Sequence, residues 1–464
     1  MRIALATPLR NVKTLAAALG AAAIPMGLPA PEIKGISTHA AECQAGDLFL
    51  AIRGRRHNGA GFIPQALARG AAGVLTDRPV PLPRQNYWHL RVPDIGRALL
   101  RAASRWRRVL GARVIGVTGS SGKTTVKELL ATMLAEKYRV AKTEGNHNSA
   151  VGLPLSLLSV EAAEIVVAEL GVSAPGEMQP LAATLAPDIA VLLGVGSAHI
   201  GNFPDYEALL REKLLVALGL TPDGWLVLPT GLPHAPDIAP NICSVGQCDA
   251  DVVAEAASYG AHGTRATVRA GEMTVPDLTW PLAGRTGLST LLFAVAVGRL
   301  SGLDAPTIRR GISRAALQTP RMQTVRVGDR LLIDDTYNAS PEAMRAALEG
   351  LFYLAADRPR VAVLGDMAEL GAKAAGYHET VGMLAAGCGL AHLYLYGDAA
   401  RDYARGALRA GILPDALHIF EKGEGAALVA ALSGELPRNA AVLFKGSRTV
   451  ALDEIFQMLR EALK

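Results

Sequence analysis

The chain has 464 residues, of which 50% are hydrophobic and 19% charged, and its formal net charge is +5. This length and apolar content predict several hydrophobic cores, with about three globular domains expected. Lys and Arg are spread along the chain, which argues against a nucleic-acid partner and suits an acidic small-molecule substrate.

Residues 1–104 are predicted to form a small α/β domain. A short amphipathic helix, Val12–Leu19, is expected to end at Gly20. The Ala-rich run around it resembles a secretory signal only superficially, because Gly20 and Pro25 interrupt it, and no run is long enough to span a membrane. The other elements expected in this domain are strands at 47–52 and 72–75, a helix over 62–69 and an Arg-rich helix over 95–109.

A glycine-rich loop, Gly116–Thr125 (G-V-T-G-S-S-G-K-T-T), lies between a predicted strand and a predicted helix. Lys123 is expected to bind the β- and γ-phosphates of ATP, and the Thr124 hydroxyl to bind Mg²⁺. The alternative, a Gly/Ser turn without a ligand, is disfavoured by Lys-Thr-Thr directly after the last glycine. The residues predicted to hold ATP here are Gly119, Ser120, Ser121, Gly122, Lys123, Thr124 and Thr125.

Alternating strands and helices follow, which predict a doubly wound P-loop ATPase-like domain over 105–314 and a Rossmann-like α/β domain over 315–464. After Pro236 the strand candidates become shorter and more polar, until a helix over 288–300. Glu169 and His199 follow two apolar strands, where open sheets bind ligands, and with Thr124 they could ligate Mg²⁺. Taken singly, each could equally be an ordinary polar loop residue.

The four cysteines predict reduced, unligated thiols in a cytoplasmic protein. Cys243 and Cys248 form a C-x₄-C pair, but no second pair and no nearby histidine completes a metal site.

Five motifs occur in a characteristic order, and together they resemble the Mur ligases, the ATP-dependent amide-forming enzymes of peptidoglycan precursor synthesis. Within that family, two segments, Asp335–Pro341 and Leu364–Gly371 with His378, are most like the branch that adds D-alanyl-D-alanine to UDP-N-acetylmuramoyl-tripeptide. The five motifs are Gly116–Thr125, Thr143–Asn148 followed by Gly152-Leu-Pro154, Glu169-Leu-Gly171, Ser197-Ala-His199 and Asp334–Pro341.

The resemblance implies a role for each matching residue. Thr124 and Glu169 would hold one Mg²⁺, His199 would help to hold a second, and Lys213 matches a lysine that is carbamylated in related ligases. Without the resemblance, Lys213 would be interpreted as a solvent-exposed lysine on a helix. The implied catalytic residues are Lys123, Glu169, His199 and Lys213; the implied ATP contacts from the C-terminal domain are Arg321, Asp335, Tyr337 and Asn338; and the implied substrate residues are Asn146, Asn148, Asp366, Glu369 and His378.

The implied reaction converts a carboxylate with ATP into an acyl phosphate, which an amine attacks to give an amide, ADP and phosphate. The implied substrates are a UDP-MurNAc-peptide, bound by residues 1–104, and D-alanyl-D-alanine, bound by residues 315–464, and the enzyme is expected to be a cytoplasmic monomer. A Mur-type ligase with another acceptor and a non-catalytic ATP-binding regulator are the alternatives.

The chain departs from the family pattern in two places. Thr286, Gly287 and Thr290 stand where an H-N-x-x-N signature lies near the adenine, and His39-Ala-Ala41 stands where D-S-R faces the uridine nucleotide. A threonine hydroxyl can still bond a base edge, whereas Gly287 offers only its main chain.

Overall fold

The structure is a computed structural model that describes residues 1–27, 30, 32–54, 58–80, 86–235, 237–317 and 321–464. It contains three α/β units, each built on its own sheet, as the sequence predicts. Within the described part of the chain, no helix combines the length and apolar character needed to cross a bilayer.

The first unit is a six-stranded mixed sheet. As predicted, Val12–Leu19 is helical; the Asn11 side chain accepts hydrogen bonds from two amides of its first turn, and Gly20 ends it with φ +63°. The elements are β1 (Arg2–Ala4), α1 (Val12–Leu19), β2 (Ala22–Met26), β3 (Gly35–Ser37), β4 (Asp47–Leu50), α2 (Ile63–Ala68), β5 (Gly73–Thr76), β6 (Tyr87–Arg91) and α3 (Ile95–Leu110), and the strand order is β1-β3-β4-β5-β6-β2.

The central unit is a nine-stranded sheet, and its elements run from β7 to α9. They are β7 (Arg113–Thr118), α4 (Lys123–Leu134), β8 (Val140–Lys142), α5 (Gly152–Leu158), β9 (Ile165–Glu169), α6 (Met178–Leu185), β10 (Ile189–Leu192), α7 (Tyr206–Leu214), β11 (Trp225–Pro229), β12 (Asn241–Gly246), β13 (Val252–Gly260), β14 (Gly263–Ala270), β15 (Met273–Trp280), α8 (Arg285–Leu300) and α9 (Ala305–Arg314).

The order of this sheet is β15-β14-β13-β12-β11-β10-β7-β9-β8, parallel from β8 to β13 and antiparallel from β13 to β15. The polar strands expected after Pro236, which itself lies outside the described residues, therefore extend the same sheet. Strand β7 lies between β9 and β10, so a crevice opens at its carboxyl end, where the glycine-rich loop begins.

The C-terminal unit is a six-stranded sheet, parallel except for its edge strand β16. The elements are β16 (Gln323–Val327), β17 (Arg330–Asp334), α10 (Pro341–Ala355), β18 (Arg360–Gly365), α11 (Ala374–Ala386), β19 (His392–Tyr396), α12 (Ala400–Arg409), β20 (Leu417–Phe420), α13 (Gly425–Glu435), β21 (Ala441–Lys445) and α14 (Leu452–Ala462), and the strand order is β16-β17-β21-β18-β19-β20. The carboxyl ends of β17 and β21 adjoin, which brings Asp335 close to Lys445.

One predicted domain boundary lies at the end of a helix in the structure, whereas the other lies within a helix. Residue 314 is the last residue of α9, whereas residue 104 falls inside α3. Ala102 of α3 packs in the N-terminal core and Ala103 in the central core, so this helix belongs to both units.

Candidate active site

A cavity of about 670 Å³ lies between the central and C-terminal units. Its lining combines the glycine-rich loop, the end of β9 and the start of α8 with the segments that follow β17 and β21. Of the residues predicted for the site, fifteen line it: Ser120, Ser121, Gly122, Lys123, Thr124, Thr125, Asn146, Asn148, Glu169, His199, Arg321, Asp335, Tyr337, Asn338 and Glu369.

The glycine-rich loop has the backbone conformation of a phosphate-binding turn. Gly119 and Gly122 have φ of +148° and +79°, and Gly122 directly precedes the first turn of α4. The Lys123 ammonium donates to the Gly119 carbonyl at 2.9 Å. Burial lowers the pKa of Lys123, while the charge of Glu169 acts in the opposite direction. A phosphate oxygen that replaced this carbonyl would provide the negative charge that the buried ammonium lacks.

Oxygen atoms suited to Mg²⁺ lie beside this loop. Thr124 Oγ1 donates to Glu169 Oε2 at 2.8 Å, and Asn148 Nδ2 donates to Glu169 Oε1 at 2.7 Å. Within the described residues, no three His, Cys, Asp or Glu side chains are grouped to hold a metal by themselves. Magnesium commonly takes one or two protein oxygens and completes its shell with water and phosphate, so a hydroxyl and a carboxylate beside a phosphate loop fit this ion.

His199 meets the C-terminal unit at the other side of the loop. Its Nδ1 contacts the Glu369 carboxylate, and burial lowers the pKa of the imidazole although the charge of Glu369 raises it. Both residues have left-handed backbones, with φ of +67° and +62°. The Gly201 amide donates to the Glu369 carbonyl at 3.1 Å, and Gly201 and Gly371 face each other backbone to backbone. Two strained loops thus touch where the units join.

Lys213, on α7, lies behind the phosphate loop and not among the lining residues. It is 1% exposed and its Nζ lies 3.4 Å from the Gly119 carbonyl, so a solvated helical lysine is the wrong description. Burial, together with the charge of Lys123, lowers the pKa of Lys213 to about 7. A large fraction of neutral amine is therefore present near neutral pH, and the neutral amine is the form that reacts with CO₂.

The C-terminal unit contributes an ion pair and a stacked arginine to the cavity. Lys445 Nζ lies 2.6 Å from Asp335 Oδ2 and also donates to the Asn338 carbonyl at 2.9 Å. Burial raises the pKa of Asp335, with Lys445 opposing it. The Arg321 guanidinium lies 4.6 Å from the centroid of the Tyr337 ring. These contacts fix the segment after β17.

Asp366 and His378, predicted to contact substrate, do not line the cavity. The Asp366 carboxylate accepts the amides of Asp398 and Ala399, each at 2.9 Å. His378 is buried, accepts the Met367 amide at 3.0 Å and contacts the Ala374 carbonyl. The polar atoms of both residues are bonded to the protein main chain, which braces the loop that carries Glu369, and a substrate contact of either residue stays a prediction.

Glu342 and Lys127 contribute to the site, although the sequence did not predict them. Glu342, in the first turn of α10, lines the cavity and accepts the Ser197 amide at 2.7 Å and the Ser197 hydroxyl at 2.8 Å. Lys127 is fully buried and donates to the Gly145 carbonyl at 2.9 Å, which anchors the loop that carries Asn146. The available signal for Lys127 was its position one helical turn after Lys123 on a buried face.

The residues that replace the adenine signature lie at the start of α8. Thr286 lines the cavity, whereas Thr290 is buried and donates to the Thr286 carbonyl at 2.8 Å. A Cβ on Gly287 would lie 1.9 Å from the Leu282 carbonyl oxygen. An asparagine side chain at position 287 therefore does not fit this backbone. In the first unit, His39-Ala-Ala41 opens a short 3₁₀ turn beyond β3.

Comparison with known proteins identifies three matching family models. The Mur ligase middle domain matches residues 117–298, the Mur ligase glutamate ligase domain matches 320–448, and the Mur ligase family catalytic domain matches 32–107. The UDP-N-acetylmuramoyl-tripeptide–D-alanyl-D-alanine ligase of Bacillus subtilis is 33% identical over 435 residues, covering 93% of this chain and 94% of that protein. The enzyme of the same description from Escherichia coli is 29% identical, covering 92% and 94%.

Solved structures agree with these sequence matches. MurF from Acinetobacter baumannii superposes with a TM-score of 0.87 at 28% identity, covering 97% of this chain and 99% of that one. MurF from Thermotoga maritima in complex with ADP gives 0.79 at 28% identity, covering 92% and 97%. The matches extend over all three units and include the phosphate loop, so the chain belongs to the Mur ligase family.

Proposed function

We propose that this chain is an ATP-dependent, ADP-forming ligase that joins D-alanyl-D-alanine to UDP-N-acetylmuramoyl-tripeptide in peptidoglycan precursor synthesis. The observation that carries the proposal is the cavity between the second and third units, which places a phosphate loop beside a carboxylate–hydroxyl pair. Relatives and solved structures matched along nearly the whole chain are named for this reaction or as MurF.

The first step joins two anions, since the substrate carboxylate attacks the γ-phosphorus of ATP and displaces ADP. Lys123 would leave the Gly119 carbonyl and donate to the γ-phosphate, which offsets the growing charge. Thr124 and Glu169 would hold a Mg²⁺ ion, and His199 would help to hold a second. When bound, Mg²⁺ neutralises phosphate charge and orients the triphosphate.

Lys213 would act through a modified form. The ammonium first loses one proton; the neutral amine then attacks CO₂, forms an N–C bond and releases a second proton, so that a cation becomes a carbamate anion. Its location behind the phosphate loop and its lowered pKa suit that reaction. The carbamate would add an oxygen ligand on the side of the loop where a free ammonium repels a metal ion.

The second step requires both of the units that line the cavity. The amine of D-alanyl-D-alanine attacks the acyl carbon, the C–O bond to phosphate breaks, and the amine proton is lost as the amide forms. Glu342 and Glu369 of the C-terminal unit contact Ser197 and His199 of the central unit, which would shield the acyl phosphate from water. We assign uridine-nucleotide binding to residues 1–104, ATP binding to 105–314 and dipeptide binding to 315–464.

The test is phosphate release by the full chain with ATP, Mg²⁺, UDP-MurNAc-tripeptide and D-alanyl-D-alanine. We expect release to depend on both UDP-MurNAc-tripeptide and D-alanyl-D-alanine, and release without dependence on the dipeptide would overturn the assignment. A panel of amino acids and dipeptides in the same assay tests a different acceptor. We expect the enzyme to act as a monomer in the cytoplasm, and light scattering on the purified chain checks the first point.

A Lys213→Ala variant separates catalysis from simple nucleotide binding. A catalytic role predicts a turnover rate about ten-fold lower, with retained ADP binding. An unchanged turnover rate would contradict the role assigned to Lys213.

A further inference from the structure

We propose that this site also uses other purine nucleoside triphosphates, GTP and ITP, with an efficiency close to that for ATP. The inference rests on the proposed function and concerns which triphosphate drives it. Among the residues that the structure describes, the part of the cavity left for the base presents apolar side chains and the hydroxyl of Thr286, which can either donate or accept.

The position of the base follows from where the other parts of the nucleotide bind in the cavity. The phosphate loop, with Lys123 and Thr124, takes the triphosphate, and the polar segment 335–338 suits the ribose. The remaining lining is largely apolar and comes from Leu282, Ala283, Met322, Ala346 and Gly350. A purine has flat apolar faces, so this part of the cavity, here called the base end, is where it would lie.

Three main-chain groups at the base end already have partners. The Leu282 carbonyl accepts the Thr264 hydroxyl at 2.7 Å, and the Arg285 amide donates to Glu349 Oε1 at 3.1 Å. The Met322 amide donates to Asp335 Oδ1 at 3.3 Å. These groups would have to break existing bonds before they could read the edge of a base.

Thr286 is the side chain at the base end that can bond a base edge. Within the described residues, its hydroxyl has no hydrogen-bond partner, whereas the Thr290 hydroxyl is bonded to the Thr286 carbonyl. Gly287 has no room for a side chain. A hydroxyl rotates to donate or to accept, so Thr286 suits both the 6-amino group of adenine and the 6-oxo group of guanine or hypoxanthine.

The hydrogen-bonding groups at the base end determine how strongly ATP should be preferred over GTP and ITP. A site with fixed buried partners can reject a wrong hydrogen-bonding pattern by about 10⁴-fold or more, because those partners are then left unpaired. A rotatable hydroxyl between apolar walls leaves nothing unpaired. The ATP:GTP and ATP:ITP ratios of kcat/KM are therefore expected to be about 10 or less.

The experiment compares ATP, GTP, ITP and CTP as sole triphosphates in the phosphate-release assay, with both substrates present. Activity with ATP tests the proposed function on its own, so a failure with GTP alone overturns only the present inference. A preference for ATP above about 100-fold over either GTP or ITP would overturn it. CTP should be used less well than the purines because a smaller ring leaves the apolar walls uncovered; equal use of CTP would contradict recognition by shape.

A Thr286→Val variant keeps the side-chain shape and removes the hydroxyl. We expect kcat/KM to fall by a similar factor, about three- to ten-fold, for all three purine triphosphates. A fall confined to ATP would show that the hydroxyl reads adenine and would contradict the proposal. Thr279→Val makes the same change at an exposed position of β15 and should leave all values unchanged.

Binding without turnover gives an independent readout. ADP, GDP and IDP should raise the melting temperature of the wild-type chain by similar amounts, since each would bind the folded state with similar affinity. Stabilisation by ADP alone would overturn the inference even if turnover proved too slow to compare.

Discussion

The two ends of the nucleotide cavity differ in how many of their polar side chains are hydrogen-bonded in place. At the phosphate end, Thr124 and Asn148 each donate a hydrogen bond to Glu169, and the ammonium of Lys123 donates to the loop carbonyl of Gly119. At the base end, the described lining is largely apolar, and no described residue is hydrogen-bonded to the Thr286 hydroxyl. A triphosphate must exchange its hydration for fixed protein groups, whereas a base can be held by contact area, so precise polar geometry is needed only at the first end.

Lys123→Ala should produce the largest loss, because it removes the cation closest to the transferred phosphate. We expect kcat/KM to fall by about 10²- to 10³-fold. Phosphate-release kinetics measure the effect, and Lys137→Ala, at an exposed lysine just after α4, is the matched control. A loss below ten-fold would mean that the phosphate end does not depend on this side chain.

Glu169→Gln should lower activity by about 10- to 100-fold and raise the Mg²⁺ concentration needed for half-maximal rate. The amide is neutral, and its NH₂ group would face one of the two donors, Thr124 or Asn148. Mg²⁺-dependent ADP binding by calorimetry provides a readout apart from turnover. Glu255→Gln, at a surface ion pair with Arg269, is the control. An unchanged Mg²⁺ requirement would remove Glu169 from the metal site.

Lys213→Met should lower activity about ten-fold yet raise stability, by about 1–4 kcal/mol near pH 7. At pH below 7 the folded wild-type chain buries a charged ammonium at full cost. Between 7 and 10.5 the unfolded chain keeps the proton that the folded chain has released, so wild-type stability rises with pH. The gain from methionine should therefore shrink as pH rises.

Urea unfolding at pH 6, 7.5 and 9 in bicarbonate-free buffer measures this gain, with Lys422→Met as an exposed control. A gain that stays constant with pH would show that Lys213 is not the source.

Gly350→Ala should have the smallest effect and should act at the base end alone. A Cβ there would lie 2.5 Å from Met322 Cε, a flexible tip that can move into the space for the base. We expect KM to rise about two- to five-fold for every purine nucleotide with kcat unchanged. Gly376→Ala, in a helix position with open space around it, is the control. A change in kcat would place Gly350 near the phosphate end instead.

Much of the fold was predictable because local signals and tertiary packing agree. The helix Val12–Leu19 carries both of its caps in the sequence, and the apolar runs that form β9 and β21 are buried parallel strands. The antiparallel strands β13 to β15 were recognised only as polar strand candidates. Strand β13 joins the central sheet through two pairs with the end of β12, Val245 with Val252 and Gly246 with Val253, and the polar strand pattern does not indicate which sheet these strands join.

The site was less predictable where one unit supplies partners to another. Motif spacing identified Lys123, Thr124 and Glu169, whose positions follow from strand ends next to a turn. It could not identify Glu342, because the partner Ser197 lies 145 residues away. His378 shows that a motif histidine can also bond a loop backbone, since its ring accepts the Met367 amide, and its contact with substrate stays a prediction.

The contact between Gly201 and Gly371 limits how the second and third units can be exchanged among related enzymes. A Cβ on Gly201 would lie 2.5 Å from the Gly371 nitrogen, and one on Gly371 would lie 2.8 Å from the Gly201 Cα. Elsewhere on an interface a larger side chain can be matched by a smaller one opposite, but here main chain faces main chain and no such exchange makes room. A chimeric enzyme should therefore form the closed cavity only when its two parent proteins supply glycine at positions 201 and 371.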